Sequence, residues 1–230
     1  PWIAGIDCPF GQPRRLVEGI GWPRDWAACT AYVGRMDRQT FRDALDAYRT
    51  PRPVGDKEHR RRIDRFAGGI SPQKLYGVPV GLMYFEAAPR LLRSGVRLPA
   101  HGVPGDPDRT VIEAYPGVLA RGLIGRRSYK NDTVAKQTPD QHAARRAILD
   151  GLTTRAFAAQ YGFTVEAPES LADDSGADPL DALLCAVQAG WAWGQRDAGF
   201  GIPADADPLE GWISDPHVEA ARLADGGGIR

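Results

Sequence analysis

Thr110-Val-Ile-Glu-Ala-Tyr-Pro116 runs straight into Gly-Val-Leu-Ala-Arg-Gly-Leu123. The first half is rich in β-branched residues and reads as a strand over Thr110–Ala114. The second half places Pro116 at the first helical position, where its missing N–H is harmless, and predicts a helix to about Leu123. A strand passing directly into a helix is the building unit of a parallel α/β sheet. Working outward, Trp2-Ile-Ala-Gly-Ile6 repeats the pattern: a short apolar strand stopped by Asp7 and Pro9. At the other end, Asp178-Pro-Leu-Asp-Ala-Leu-Leu-Cys-Ala-Val187 opens the clearest helix of the chain, Pro179–Trp193. The fold class expected is α/β, a sheet flanked by helices in a single domain spanning 1–230, with a helical insertion from about Arg14 to Leu98.

Between these landmarks, helices are expected over Arg14–Ile20, over Asp25–Tyr48 with a break near Gly34, and from about Pro79 to Leu92. Lys57–Phe66 reads as a strongly basic helical stretch. Ser94–Arg109, rich in Gly and Pro, reads as a long surface loop. Arg126–Lys136 reads as a polar loop, Pro139–Leu149 and Thr154–Tyr161 as helices, and Glu166–Ala177 as a linker. The tail after Gly199 reads as irregular, with Gly226–Gly228 frayed.

Composition narrows the partners. The 230 residues suit one large or two small domains, and 43% are apolar, enough for a packed core. Lys plus Arg equals Asp plus Glu at 29 each, so net charge names no partner and a nucleic-acid binder needs a local basic patch. Cys8, Cys29 and Cys185 are scattered, without C-x-x-C or zinc spacing, which points to a reducing, cytoplasmic location. No apolar run approaches the roughly 20 residues of a membrane span. The chain opens at Pro1 with a strand already under way, and the visible strands are few for so many helices. Residues upstream of Pro1 are therefore expected in the natural protein.

The candidate chemistry lies where apolar runs give out. Asp7 ends one strand, Glu113 ends the other, and Asp178 and Asp181 open the last strong helix. In an α/β sheet, strand C-termini and helix N-termini collect on one edge. Carboxylates gathered there can hold a divalent metal through hard oxygen ligands. Each has a plainer explanation. Asp7 can form an Asx-turn before Cys8-Pro9. Glu113 is simply exposed if its sheet face is wet, and demands a cation if both faces are covered. Asp178 as N-cap, Pro179 as first residue and Asp181 at the third position make a sound helix start. Their i, i+3 spacing also puts both acids on one helical face.

Among basic residues, Arg60, Arg61 and Arg65 cluster in Lys57–Phe66, partly offset by Asp56, Glu58 and Asp64. Such a run is a solvated face or a phosphate track. Arg126, Arg127 and Lys130 follow soon after the Glu113 strand, where a lysine can stabilise charge on a transferred phosphoryl group. His59, His101, His142 and His217 stand far apart with no cysteine motif. There is no G-x-S-x-G elbow and no phosphate-binding G-x-x-x-x-G-K-[ST] loop.

The ordered set Gly5-Ile-Asp7-Cys-Pro, Val111-Ile-Glu-Ala-Tyr-Pro116, Ser128-Tyr-Lys130 and Asp178-Pro-Leu-Asp181-Ala-Leu-Leu, with a late Glu210-Gly-Trp-Ile213, resembles a bacterial family of uncharacterised proteins predicted to be RNase H-fold nucleases. More distantly it is similar to RuvC-type Holliday-junction resolvases. The resemblance implies an RNase H-like sheet, with Asp7 matching the acid of the fourth strand and Asp178 and Asp181 the C-terminal acidic pair. Glu113 would be an additional acid on the fifth strand. It further implies an opening hairpin whose first strand carries an acid, which nothing before Trp2 supplies.

The expectation is a nuclease dependent on magnesium or manganese, with Asp7, Glu113, Asp178 and Asp181 as catalytic metal ligands and Lys130 as an electrostatic helper. A two-metal site is possible on this reading. Nucleic acid, DNA or RNA, would lie along Arg60, Arg61, Arg65, Arg126 and Arg127. The alternatives are a catalytically silent nucleic-acid- or protein-binding module and a small-nucleotide phosphohydrolase.

Overall fold

The computed structural model describes residues 1–131 and 133–226, with no description of the Val134 side chain. The readings for Gly227 and Gly228 fall outside these residues. In chain order the elements are β1 (Trp2–Asp7), α1 (Arg14–Ile20), α2 (Trp26–Val33), α3 (Arg38–Arg49), α4 (Arg62–Phe66), α5 (Val80–Ser94), β2 (Val96–Arg97), β3 (Asp106–Ala114), α6 (Pro116–Ile124), α7 (Pro139–Leu152), α8 (Arg155–Tyr161), α9 (Asp178–Gly194) and α10 (Pro216–Ala224). The three described strands form a parallel sheet in the order β1-β3-β2. The fold is thus mixed α/β, a small parallel sheet with helices on both sides.

Strand alternation divides the core. Ile6 and Val111 face one way, against Leu16, Val17, Val33, Phe41 and Tyr84 from α1, α2, α3 and α5. Ile3 and Ile112 face the other way, against Ala189 and Ala192 of α9. Both faces are covered, which is why β3 ends in an unbroken buried run from Thr110 to Ala114. Close packing of α9 on β1 depends on Gly5, where a Cβ would stand 2.4 Å from the Cys185 carbonyl oxygen. A second apolar core joins α6, α7, α8 and α9 through Leu119, Ile148, Leu152, Phe157, Leu180 and Leu184. Leu180, Leu184 and Val187 are buried as their helical spacing predicts, and Leu183 is half-buried.

Four local expectations are corrected. The basic stretch over Lys57–Phe66 is helical only at Arg62–Phe66. The expected loop at Ser94–Arg109 contains β2 and the first half of β3. The tail after Gly199 carries α10, capped by Asp215, whose side chain accepts a bond from the His217 N–H. Asp178 does not cap α9. Ala177, left-handed at φ 62°, precedes the helix, so Asp178 is its first residue. Among the described residues, no helix is long and apolar enough to cross a membrane.

Candidate active site

The register of β1 on β3 decides where the acids point. Asp7 pairs with Ala114 and Ile6 with Glu113. Neighbours in a strand face opposite ways, so Asp7 turns toward α9 while Glu113 turns toward the α1–α5 side. One residue of register therefore separates two carboxylates that the sequence places at equivalent strand ends.

On the α9 side stands Asp181, buried in the first turn of that helix. Its Oδ1 accepts a hydrogen bond from Tyr129 Oη at 2.7 Å, and its Oδ2 accepts one from Lys130 Nζ at 2.5 Å. The Asp7 carboxyl is pushed up to about 6 by burial first, then by Asp181, with Lys130 working against them. Its outer side is open to solvent, but the wall of the cleft removes water from the rest. Among the described residues, no hydrogen-bond donor or ion-pair partner reaches the Asp7 carboxylate. Burial, Asp7 and Asp181 together push the nearby Cys185 thiol up to about 12, so it stays a thiol at neutral pH. Asp178 is exposed at the head of α9.

On the other side Glu113 is engaged. Arg61 Nη2 donates to its Oε1 at 2.6 Å and Arg61 Nη1 to its Oε2 at 2.8 Å, while the Phe10 N–H donates to Oε2 at 3.0 Å. The same guanidinium grips Asp64 through Nε and Nη2 and reaches the Glu210 carbonyl through Nη1. Arg61 is 2% exposed, Asp64 and Glu113 3% each. Burial raises the Glu113 carboxyl above its usual value, against the lowering pull of Arg61 and the Phe10 amide. Burial also disfavours the Arg61 charge, yet Asp64 and Glu113 hold it protonated. Glu113 is therefore a bidentate partner of Arg61, and the Arg61 donors are turned to Asp64, Glu113 and the Glu210 carbonyl within the protein.

The remaining basic residues divide. Arg126 and Arg127 are exposed and, with Arg121 and Lys130, line a concave surface of about 500 Å³. Arg65 lines an adjoining hollow of about 280 Å³ that shares Arg121 and Gly68 with it. Lys130 also lines the cleft of about 300 Å³ that holds Asp7 and Glu113. A basic track thus leads from Arg65 past Arg121, Arg126 and Arg127 to the acids. Arg60 is exposed but lines none of these hollows.

Sequence reasoning gave no role to Tyr129, Asp64 or Glu210, and assigned Arg61 to a nucleic-acid track rather than to an ion network. Tyr129 gave no signal beyond its place beside Lys130. The Arg61–Asp64 pair was legible as i, i+3 neighbours flanking buried Ile63, but its link to Glu113 spans 52 residues. Glu210 accepts the Arg14 N–H at 2.8 Å and the Arg62 N–H at 2.8 Å, tying the starts of α1 and α4 to the C-terminal segment. That accounts for a carboxylate inside Glu210-Gly-Trp-Ile213, whose Ile213 bridges to Glu113 alongside the sheet.

A family model described as "Protein of unknown function (DUF429)" matches residues 1–207. The chain belongs to the DUF429 family. The matched span of this DUF429 protein includes Asp7, Arg61, Asp64, Glu113, Lys130 and Asp181, while Glu210, whose carbonyl also accepts from Arg61, lies just beyond it. No curated protein and no solved structure matches the chain.

Proposed function

We propose that this DUF429 protein hydrolyses phosphodiester bonds with the help of a divalent cation, magnesium or manganese, as a nuclease of RNase H-like type. The observation that carries the reading is that Asp7, at the C-terminal end of β1, and Asp181, in the first turn of the helix packed on that strand, are near enough for Asp181 to raise the Asp7 carboxyl, at the end of a basic track. An acid ending a parallel strand, opposite an acid in the first turn of the helix packed on that strand, is also what supports the RNase H-like assignment.

The donor set fits a hard cation with few protein ligands. Magnesium is commonly held by one or two carboxylates, with water and substrate phosphate completing the shell. Asp7 meets this requirement best. Its charge is crowded by burial and by Asp181, and no donor among the described residues offsets it at hydrogen-bond distance. Asp181 supplies the second carboxylate. Glu113 fits less well as a ligand, because Arg61 already donates to both its oxygens and balances its charge. A bound cation would sharpen a water nucleophile and offset charge on the phosphoryl oxygens.

The chain's own residues do the rest. Lys130, now bonded to Asp181, stands at the mouth of the basic surface and can turn its charge to a phosphoryl oxygen. Tyr129 holds the other Asp181 oxygen and fixes the carboxylate's plane. In the reaction, water oxygen adds to phosphorus, the P–O bond to the leaving group breaks, and the proton lost by water balances the charge on the departing alkoxide.

A second reading, a binding module without activity, is favoured by a different observation. Among the described residues, no three His, Cys, Asp or Glu side chains group closely enough to hold a metal. Asp181→Asn separates the two readings. On the hydrolytic reading it abolishes Mg²⁺- or Mn²⁺-dependent cleavage of single-stranded, duplex and branched nucleic acids and removes any cation-dependent rise in melting temperature. Wild-type protein that cleaves none of them, and whose melting temperature ignores both cations, would overturn the nuclease proposal in favour of the binding module.

A further inference from the structure

The cleft beside Asp7 has one wall that hydrolysis of a phosphodiester does not require. Pro9, Ile70, Val78, Val80 and Met83 line it, from the turn after β1, the segment before α5, and α5 itself. Ile70 is 40% exposed and Val78 54%, so two large apolar side chains stand in water at the mouth of the same cleft. Scattered apolar residues on a surface need no explanation, but convergence on one concave site does. The polar groups of that cleft are largely engaged with one another, Arg61 with Asp64 and Glu113. What the cleft offers an incoming molecule is therefore an apolar wall, with Asp7 at its edge and Lys130, itself bonded to Asp181, where it meets the basic track.

We propose that this recess receives the base of a single unpaired nucleotide, with its phosphate toward Lys130 and the basic track. The placement of the phosphate rests on the phosphodiester reading above. The volume, about 300 Å³, is at the small end of ligand sites and suits one planar heterocycle with its sugar. Charge complementarity selects an occupant that is apolar at one end and anionic at the other, because the apolar wall and the Arg126, Arg127 and Lys130 surface adjoin. A bare sugar phosphate would leave the apolar wall wet. A base inside an intact duplex is stacked and paired and cannot reach the recess, so the substrate class is a strand end, a single strand, a displaced base or a free nucleotide.

Calorimetric titration of the full chain in EDTA tests this without calling on metal or cleavage. The ligands are nucleoside 5′-monophosphates, ribose 5-phosphate, inorganic phosphate, a short single-stranded oligonucleotide and its blunt duplex. The monophosphates should bind at least about tenfold tighter than ribose 5-phosphate, and the single strand tighter than the duplex. Ile70→Asn and Val78→Asn, which add no charge beside the phosphate, should each remove that advantage. Val78→Ser serves in place of either variant that fails to fold. Binding of monophosphates without the oligonucleotide would assign the recess to free nucleotides; binding of both assigns it to strands. Equal affinity for the monophosphates and ribose 5-phosphate, or variants that bind like wild type, would overturn the proposal and return the apolar wall to a protein partner. A protein that binds bases in this way yet never cleaves refutes the nuclease reading alone. A protein that cleaves duplex as fast as single strand and ignores monophosphates refutes this inference alone.

Discussion

Replacing Arg61 by Met should be the most damaging single change at this site. The guanidinium is 2% exposed and bonds the carboxylates of Asp64 and Glu113 and the Glu210 carbonyl. Met keeps much of the volume and removes every donor. Asp64 and Glu113 would then be left buried without a cation. Removing one partner of a buried pair typically costs about 3–5 kcal/mol, because the remaining charge is stranded away from water. Two carboxylates are stranded here, so the upper end of that range is expected at pH 7. Urea unfolding of wild type and Arg61→Met at pH 7 gives the number directly, from the shift in midpoint at constant slope. The double variant Arg61→Met with Glu113→Gln should recover part of the loss, since one of the stranded charges is then gone. A loss below about 1 kcal/mol, or no recovery in the double variant, would refute the argument that a buried ion network holds β3, α4 and the C-terminal segment together.

Leu184, fully buried between α9 and the α6–α8 core, should lose about 2–5 kcal/mol on change to Ala, read by the same unfolding curves. Gly5→Ala places a methyl group 2.4 Å from the Cys185 carbonyl and should cost about 1–3 kcal/mol by forcing α9 off β1; an unchanged melting temperature would contradict that packing. Asp7 has a carboxyl raised to about 6 in the folded protein against an ordinary value of 3.8, so the folded state binds more protons between those values. Its contribution should make stability fall as pH rises from about 4 to about 6, and Asp7→Asn should flatten that slope in melting curves taken across the range. If the same carboxylate holds a cation, a Mg²⁺-dependent rise in melting temperature should be larger at pH 7 than at pH 5, since only the deprotonated group is a ligand.

How far the sequence alone reached can be read from particular residues. Two strand–acid junctions, the Pro116 helix start and the Leu180, Leu184 and Val187 spacing are local signals, and they established the α/β class, β1, the buried half of β3, α6 and α9. They also established that acids stand where strands end. The signals failed where local pattern is thin. β2 has two residues, too few to carry a period. The first half of β3, Asp106-Pro-Asp-Arg109, is polar because it extends past the covered part of the sheet. α10 buries only Val218 and so has little apolar face to betray it. Ala177 takes a left-handed turn that its side chain does not favour, which moves the start of α9 by one residue from where Asp178 would set it. Which acids act together was never local. It depends on β1 pairing with β3 in one register rather than the next, since a slip of one residue turns a side chain to the opposite face of the sheet. It depends as well on Arg61, the residue before α4, reaching across to Glu113. Tertiary structure alone therefore joined Asp7 to Asp181 and withdrew Glu113 into an ion pair.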